Sequence, residues 1–170
     1  MVASAARGEF TRDDVWGWLE EVMDPEVPVL SVIELGIVRE VAIAEGAVTV
    51  TVTPTYSGCP AVQVINSAIE AAIRAHGVDE VHVRTVYAPA WTTEWIAPEA
   101  RAKLKAYGIA PPGHLVLEEL VPLRRASAAV QCPYCNSMNT TLRSEFGSTA
   151  CKSILFCDSC HQPFEQFKAI

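Results

Sequence analysis

The sequence predicts an α+β fold, in which a small sheet packed with helices is followed by a small β-rich zinc ribbon. Two observations predict this fold class. Apolar residues recur with helical and strand periods through residues 11–108, whereas five of the six cysteines and four of the five phenylalanines lie in the last 40 residues. Pro111-Pro112-Gly113 ends helical structure between these regions. We therefore predict a first domain over 1–112, a linker over 113–129 and the ribbon over 130–170.

The first domain is predicted to contain helix, strand, strand, helix, strand and helix, in that order. The predicted segments are 11–23, 37–44, 47–54, 60–76, 80–88 and 97–108. Thr11, followed by Asp14, has the pattern of an N-cap with an acidic residue at the third helical position. The last helix has Pro98 near its start and Gly108 just past its end, which are the preferred positions of these residues.

The central strand and helix carry the clearest periodicity. Three valines of the second strand alternate with threonines, the period of 2 that is typical of a strand with one buried face: Val48, Val50 and Val52. After Pro60 the period becomes helical, and one face is predicted to carry Val62, Ile65, Ile69, Ala72, Ile73 and His76. Together these segments predict helices packed on a sheet.

Composition and charge exclude several classes of function. Half of the 170 residues are apolar, 19% are charged and the formal charge is −7, which argues against a broad grip on nucleic acid or on anionic membranes. The first residues lack the apolar core of a secretory signal, so we expect a cytoplasmic protein. In that reducing compartment, cysteines are better interpreted as metal ligands or reactive thiols than as a disulfide framework.

The tail has the cysteine spacing of a metal site. Cys132 and Cys135 form one C-x-x-C pair, Cys157 and Cys160 form another, and 21 residues separate the pairs. Each pair can aim two thiolates at one tetrahedral ion, and zinc is expected, with a rubredoxin-like iron site as the alternative. Because a domain of this size buries too little apolar area to fold alone, the metal should supply much of its folding free energy. With three basic and three acidic residues in 130–170, the ribbon is predicted to be structural or to dock a protein partner rather than nucleic acid.

Three further residues of the tail lie next to or between the two cysteine pairs. Asn136 and His161 follow the second cysteine of each pair, where a left-handed backbone is usual, so His161 is expected to be a turn residue rather than a fifth ligand. Cys151 is expected to be a small buried residue, with a role in metal exchange as the alternative.

Cys59 stands alone in the first domain, within the sequence TPTYSGCP. Because Pro60 is a good first helical residue, Cys59 is predicted at or near a helix N-cap, where unpaired N–H groups stabilise a thiolate. Gly58 allows close approach of the backbone, and Ser57 supplies a hydroxyl. An inert packed cysteine is an equally good interpretation, because no histidine is placed to act as its base.

Two other groups are candidates for function. Asp24 and Glu26, in the loop DPEVP, can face the Cys59 turn and ligate a hard or borderline metal, although turn-forming solvated carboxylates are the preferred interpretation. Trp91 and Trp95 are four residues apart and share a face if this segment is helical, which suits core packing and a binding surface equally well.

Taken together, these motifs resemble a known family. The segments DPEVPVLSVIELGIV and TPTYSGCP resemble the small iron–sulfur assembly domain of SufT-like proteins. The segments APAWTTEW, YGIAPP, CPYC, SEFGSTACK, CDSC and PFEQFK are similar to the PaaD family of phenylacetate degradation, which joins such a domain to a zinc ribbon. The resemblance extends from about Val15 to the C-terminus. Glu94, where aspartate is expected, and Ala169 are small departures from the family pattern.

The resemblance implies an accessory role beside the multicomponent oxygenase that epoxidises phenylacetyl-CoA. In this family context the oxygenase carries a di-iron centre, and its reductase carries FAD and a [2Fe–2S] cluster. The resemblance implies that Cys59 is the functional thiol, which would transiently hold iron or an iron–sulfur cluster. Asp24, Glu26, Thr55, Ser57 and Gly58 are supporting candidates, and a homodimer that pairs two Cys59 residues is an alternative way to complete the ligand set.

Three functions therefore compete at this stage. A maturation factor would deliver iron or a cluster to the oxygenase or its reductase, and this is the preferred hypothesis. A non-catalytic structural subunit of the epoxidase complex is the alternative. A cysteine-dependent enzyme is the least favoured, since the sequence offers no histidine placed to act as a base for Cys59. Oxygenase chemistry by this chain itself is not expected either, because the sequence has no E-x-x-H pair for a di-iron centre and no G-x-G-x-x-G for a dinucleotide.

Overall fold

The computed structural model describes residues 10–113 and 130–169, which form two compact units. The first unit ends at Pro89 and the second begins at Ala90. Both mix helices and small sheets, so the predicted α+β class is confirmed.

The first unit contains a three-stranded sheet in the order β1-β2-β3. Its elements are α1 (Arg12–Leu19), β1 (Val38–Ala44), β2 (Ala47–Val52), α2 (Val62–Ala75) and β3 (Val81–Thr85). β1 and β2 are antiparallel neighbours, whereas β2 and β3 are parallel. Parallel neighbours need a crossover connection, and α2 supplies it. This connection places the turn after β2 and the start of α2 at one end of the sheet.

The helix α1 begins where the sequence predicts and ends earlier. Thr11 Oγ1 accepts a hydrogen bond from the Asp14 backbone N–H, and the Asp14 carboxylate accepts one from the Thr11 backbone N–H, which is a complete capping box. The helix was expected to continue to about Met23, but it ends at Leu19. Met23 instead forms an isolated antiparallel bridge with Ser31, and proline after Asp24 disfavours helical backbone there.

The core of the first unit lies between the sheet and the helices. The predicted apolar face of α2 is confirmed at three fully or nearly fully buried positions, namely Ile65, Ile69 and Ile73. Val48, Val50 and Val52 of β2 are buried, and so are Val15 and Leu19 of α1. His76, predicted on the same face of α2, is exposed and stacks on Trp18 with ring centroids 4.2 Å apart.

The second unit extends beyond the expected ribbon. Its elements are a short 3₁₀ helix (Thr93–Trp95), α3 (Pro98–Tyr107), β4 (Ile109–Ala110), β5 (Thr140–Ser144), β6 (Lys152–Cys157) and β7 (Pro163–Phe167). The sheet order is β4-β7-β6-β5, and β4 runs parallel to β7. Because β4 follows α3 directly and adds a strand beside β7, residues 90–112 belong with the ribbon. The compact unit that contains the ribbon therefore begins before the boundary expected after residue 112, and most of the expected 113–129 linker lies outside the described residues.

The apolar interior of the second unit includes two of its cysteines. Ala110, Leu155 and Phe164 are buried against Cys132 and Cys157. Trp91 is buried with its ring centroid 5.9 Å from that of Phe167, so Trp91 is a packing residue. Gly108 ends α3 with a φ of 92°, which confirms the glycine predicted at that helix end.

Candidate metal centres

The four tail cysteines converge on one point in the second unit. The Sγ atoms of Cys132, Cys135, Cys157 and Cys160 all lie within 4.8 Å of one another. The Sγ–Sγ distance is 3.7 Å from Cys132 to Cys160 and 3.5 Å from Cys135 to Cys157. Four thiolates at Zn–S bonds of about 2.3 Å in a tetrahedron would be about 3.8 Å apart. The arrangement therefore fits a four-thiolate ion.

Both C-x-x-C pairs use the same backbone turn. The N–H of Asn136 donates to the carbonyl oxygen of Cys132 at 3.0 Å, and the N–H of His161 donates to that of Cys157 at 2.9 Å. Asn136 has a φ of 62° and His161 a φ of 58°. The predicted left-handed backbone after each pair is thus confirmed. These turns aim both sulfurs of a pair towards the same point.

Proton affinity is unequal among the four thiols. Hydrogen bonding, led by the backbone N–H of Cys160, lowers the pKa of Cys157 to about 7. Burial, followed by the neighbouring Cys157, raises the pKa of Cys160 to about 12. Four thiols this close cannot all ionise without a cation, so proton release and metal binding are coupled at this site.

Cys151 lies apart from the four-cysteine cluster. It is 3% exposed, and its sulfur lies 3.0 Å from Thr149 Oγ1. Among the described residues, the group of closely spaced metal-ligating side chains comprises the four other tail cysteines and not Cys151. Its position agrees with the expectation of a small buried residue.

Cys59 lies in a turn two residues before the N-cap of α2. Ala61 is the N-cap and α2 begins at Val62, so the predicted helix start at Pro60 is two residues early. The N–H of Cys59 donates to the Tyr56 carbonyl at 3.2 Å, and its own carbonyl accepts from the Val62 N–H at 3.4 Å. This tight turn precedes the helix, so stabilisation of a thiolate by the helix terminus is weaker than expected from the sequence.

A small pocket in the first unit brings Cys59 next to the predicted acidic loop. Three of its lining residues were candidates from the sequence, namely Asp24, Thr55 and Cys59, and Asn66 adds a fourth polar side chain. Its remaining lining residues are Ile37, Val52, Pro54, Val62 and Ile65. The space is about 10 Å³, close to what one water molecule needs. The expectation that Asp24 faces the Cys59 turn is therefore met.

Asp24 differs from the solvated carboxylate that the sequence favoured. It is 6% exposed, and its Oδ1 accepts from the backbone N–H of Glu26 at 2.7 Å and of Val27 at 2.8 Å. These bonds fix the orientation of the carboxylate in the loop. It is thus both a turn former and a buried member of the pocket.

The other supporting candidates are placed differently. Thr55 is buried and lines the pocket, but Glu26, Ser57 and Gly58 are not among its lining residues. Ser57 and Gly58 are exposed in the turn. The structure thus separates the five supporting candidates into pocket residues and residues of the surrounding loops.

Sequence reasoning missed Asn66. Its Nδ2 donates to Thr85 Oγ1 of β3 at 3.2 Å, while its Oδ1 is buried and has no hydrogen-bond partner within the described part of the chain. The available signal was an asparagine, a poor helix former, placed four residues after Val62 on the border of an apolar helix face.

Two family models match the chain, one in each unit. The model described as iron-sulfur cluster assembly protein matches residues 12–86, and the model described as PaaD zinc beta ribbon domain matches residues 118–168. Fold and sites therefore define a protein that joins an iron–sulfur-assembly domain to a four-cysteine ribbon.

One relative matches almost the whole length of the chain. The chain is 48% identical over 159 residues to a protein of Escherichia coli (strain K12) that is named as one subunit of a "Putative 1,2-phenylacetyl-CoA epoxidase", and the match covers 92% of each chain. The chain belongs to the family of that protein, the PaaD family.

Other relatives match just over half of the chain. "Fe-S protein maturation auxiliary factor" of Porphyromonas gingivalis is 34% identical, with 55% of this chain and 90% of that protein covered. A crystal structure of a domain of unknown function from Bacillus anthracis has a TM-score of 0.52 at 29% identity, covering 54% of this chain and 89% of its own. A conserved hypothetical protein from Thermotoga maritima has a TM-score of 0.50 at 37% identity, covering 56% and 95%.

The described helices do not qualify as membrane spans. In residues 10–113 and 130–169, none of the helices has both the length and the hydropathy needed to cross a bilayer.

Proposed function

We propose that this protein is a maturation factor of a multicomponent phenylacetyl-CoA epoxidase, which delivers iron or an iron–sulfur cluster to the oxygenase or its reductase. Family membership supports the broader role, an accessory protein of phenylacetate catabolism. The delivery step is supported by the match of residues 12–86 to the model of an iron–sulfur cluster assembly protein, and by the likeness of about half of the chain to iron–sulfur maturation factors. The observation that supports it is the pocket in the first unit, because Cys59 and the buried Asp24 both line it.

Cys59 is proposed to hold the cargo, with Asp24 and Thr55 beside it in the pocket. A thiol and a carboxylate can bind a borderline ion, and a pocket with one cysteine leaves the coordination shell incomplete. Incomplete ligation suits a protein that passes its metal to a better site. A homodimer with two Cys59 thiols, or a thiol from a client protein, would be needed to hold a cluster, since clusters take about four cysteine ligands.

The ribbon is proposed to hold a permanent zinc ion through Cys132, Cys135, Cys157 and Cys160. Four thiolates saturate a tetrahedral ion, so no position is left open for chemistry. The ribbon would then stabilise the second unit and present a surface to the oxygenase or reductase. Metal analysis of the purified protein separates zinc from a rubredoxin-like iron site.

Delivery is tested on the proposed clients. The oxygenase and reductase are purified from cells that carry the wild type, Cys59→Ala or Cys151→Ala, and their iron and acid-labile sulfide are measured. Cys151→Ala is the matched control, because it also removes a thiol outside the four-cysteine cluster. We expect one client to be depleted with Cys59→Ala alone, and the depleted client identifies the recipient.

A structural subunit is the second candidate, because the relative from Escherichia coli is named as a subunit. It predicts that the protein co-purifies with the epoxidase in a fixed ratio and that turnover requires it even when both clients are fully loaded. Fully loaded clients together with lost epoxidation in the Cys59→Ala strain would favour this candidate over maturation.

A further inference from the structure

We propose that the Cys59 pocket takes a single divalent iron ion as its cargo, rather than a preformed cluster, and that Asn66 supplies an oxygen ligand beside Asp24 and Cys59. This inference rests on the proposed function, because it names the cargo of the site that the function uses. Thr85 acts as a positioning residue that orients the Asn66 carboxamide.

Asn66 supplies the first step. Its Oδ1 is buried without a hydrogen-bond partner in the described ranges, and Asn66 lines the pocket. Buried polar atoms in folded proteins are nearly always paired, so an unpaired carbonyl oxygen marks the place of a bound water or ion. Thr85 Oγ1 accepts from the Asn66 Nδ2 at 3.2 Å, which leaves the oxygen end of the carboxamide to be satisfied by something else.

The size of the pocket supplies the second step. Its space of about 10 Å³ suits one water-sized particle. A [2Fe–2S] cluster contains four core atoms and takes four thiolate ligands, whereas this pocket contains one cysteine. The pocket is therefore too small and too poor in sulfur for a cluster, but it has room for one ion.

The donor types supply the third step. Carboxylate and carboxamide oxygens are hard ligands and a thiolate is a soft one, so the mixed set of Asp24, Asn66 and Cys59 suits a borderline divalent ion such as Fe(II). The backbone N–H groups of Glu26 and Val27 orient the Asp24 carboxylate, as outer-shell groups do around metal ligands.

Charge supplies the fourth step. Asp24 is only 6% exposed and shares the pocket with apolar walls, so an ionised carboxylate and a Cys59 thiolate would repel each other there. A divalent cation neutralises both charges. Three protein ligands leave further positions of the ion open, which permits release to a client.

The test is a titration with Co(II), whose thiolate charge-transfer absorption reports Cys59. The full chain is first loaded with zinc, so that the ribbon does not take up the probe. We expect a band that Cys59→Ala abolishes, and a dissociation constant that Asn66→Ala raises about tenfold or more, the scale typical of changes around a metal site. Asn66→Asp, which keeps an oxygen ligand, should bind as tightly as the wild type or more tightly.

Two further variants separate ligation from folding. Ser67→Ala, at an exposed position next to Asn66 on α2, is the matched control and should bind as the wild type does. Thr85→Val keeps the shape of a β-branched strand residue but removes the partner of Asn66 Nδ2. It should weaken Co(II) binding several-fold while the melting temperature stays close to that of the wild type.

The inference is overturned if zinc-loaded wild type shows no thiolate band, or if Asn66→Ala binds as tightly as the wild type. It is also overturned if Asn66→Asp loses binding as Asn66→Ala does, since Asn66 would then act through its amide N–H. Its failure differs from failure of the proposed function. If Cys59→Ala depletes a client but the protein binds no Co(II), the proposed function stands and the proposed cargo is wrong. If Co(II) binding depends on Asn66 but the clients of the Cys59→Ala strain are fully loaded, the proposed site stands and the proposed function is refuted.

Discussion

Replacement of one tail cysteine should release the metal and unfold the second unit. In Cys132→Ser the site loses one of its four ligands, and Cys132 is fully buried in the apolar cluster with Leu155 and Phe164. Burial of a leucine or phenylalanine side chain is worth about 1.5–3 kcal/mol, so these two supply roughly 3–6 kcal/mol. A structural zinc ion contributes about 10–16 kcal/mol in zinc-finger peptides. The metal is therefore the larger of the two contributions.

The assay measures metal content and local stability together. Wild type should contain about one zinc per chain, and Cys132→Ser should contain little. Peptide-level hydrogen exchange should then show loss of protection in β6 and β7, while α2 in the first unit remains protected. Cys151→Ser is the matched control, because Cys151 is equally buried but outside the four-cysteine cluster; it should keep its zinc.

Two results would refute this reasoning. The first is a Cys132→Ser protein that retains stoichiometric zinc and melts as the wild type does. The second is loss of zinc in Cys151→Ser, which would place Cys151 among the ligands. Loss of zinc in Cys59→Ala would likewise contradict the separation between a permanent site in the ribbon and a transfer site in the first unit.

Three further predictions concern the stability of the second unit. Glu165→Gln should destabilise it by on the order of 3 kcal/mol, because the buried Lys152 loses a carboxylate 3.0 Å away. Burial raises the pKa of Glu165, but hydrogen bonds from Ser148 and Lys152 lower it overall. In denaturation at varied pH, the extra stability of the wild type over Glu165→Gln should therefore be full above the ordinary carboxyl pKa. It should be lost as pH falls through the lowered pKa of Glu165. Gly108→Ala should lower the melting temperature by the equivalent of about 1–3 kcal/mol, since the φ of Gly108 is 92° and the new Cβ would lie 2.8 Å from Tyr134 Oη. Gly113→Ala is the control, because no atom lies within 4 Å of a Cβ at that position. An equal effect of both substitutions would contradict this prediction. Asn136→Gly should stabilise the zinc-loaded protein by up to about 1 kcal/mol, because glycine adopts its φ of 62° without strain, and an unchanged or lower melting temperature would count against strain at this turn.

The sequence predicted best those features that local chemistry controls. The two C-x-x-C pairs, the left-handed residues after them and the apolar face of α2 all follow from spacing and residue type. The cap of α1 follows from Thr11 and Asp14 in the same way. Each of these depends on contacts between residues that are close together in the chain.

Features that depend on distant contacts were predicted less well. β4 is only two residues long, and it is a strand because β7, more than 50 residues later, lies beside it. The grouping of residues 90–112 with the ribbon has the same cause. The early end of α1 reflects the bridge between Met23 and Ser31, which no helical periodicity can reveal.

The pocket shows the same limit at the functional level. Asp24 was a candidate as a loop carboxylate able to face the Cys59 turn, and Cys59 as a thiol beside a predicted helix start. The pocket that both residues line depends on the fold of the whole first unit. Asn66 could not be found from spacing, because its importance comes from an unpaired buried oxygen and from Thr85 on another element. An asparagine within a helix is otherwise interpreted as a minor departure from helix propensity.

The two proposed metal sites differ in their number of open coordination positions, which decides whether a protein keeps or releases an ion. In the ribbon, the four clustered cysteines would fill a tetrahedral shell as thiolates, so an incoming ligand would find no open position. In the first unit, one thiolate and two oxygen ligands would leave the shell open, and an incoming thiolate from a client could bind before the ion departs. This difference predicts that a chelator of moderate affinity removes metal from the Cys59 pocket well before it removes zinc from the ribbon. A single rate of metal loss from both sites would contradict the division of labour proposed for the two units.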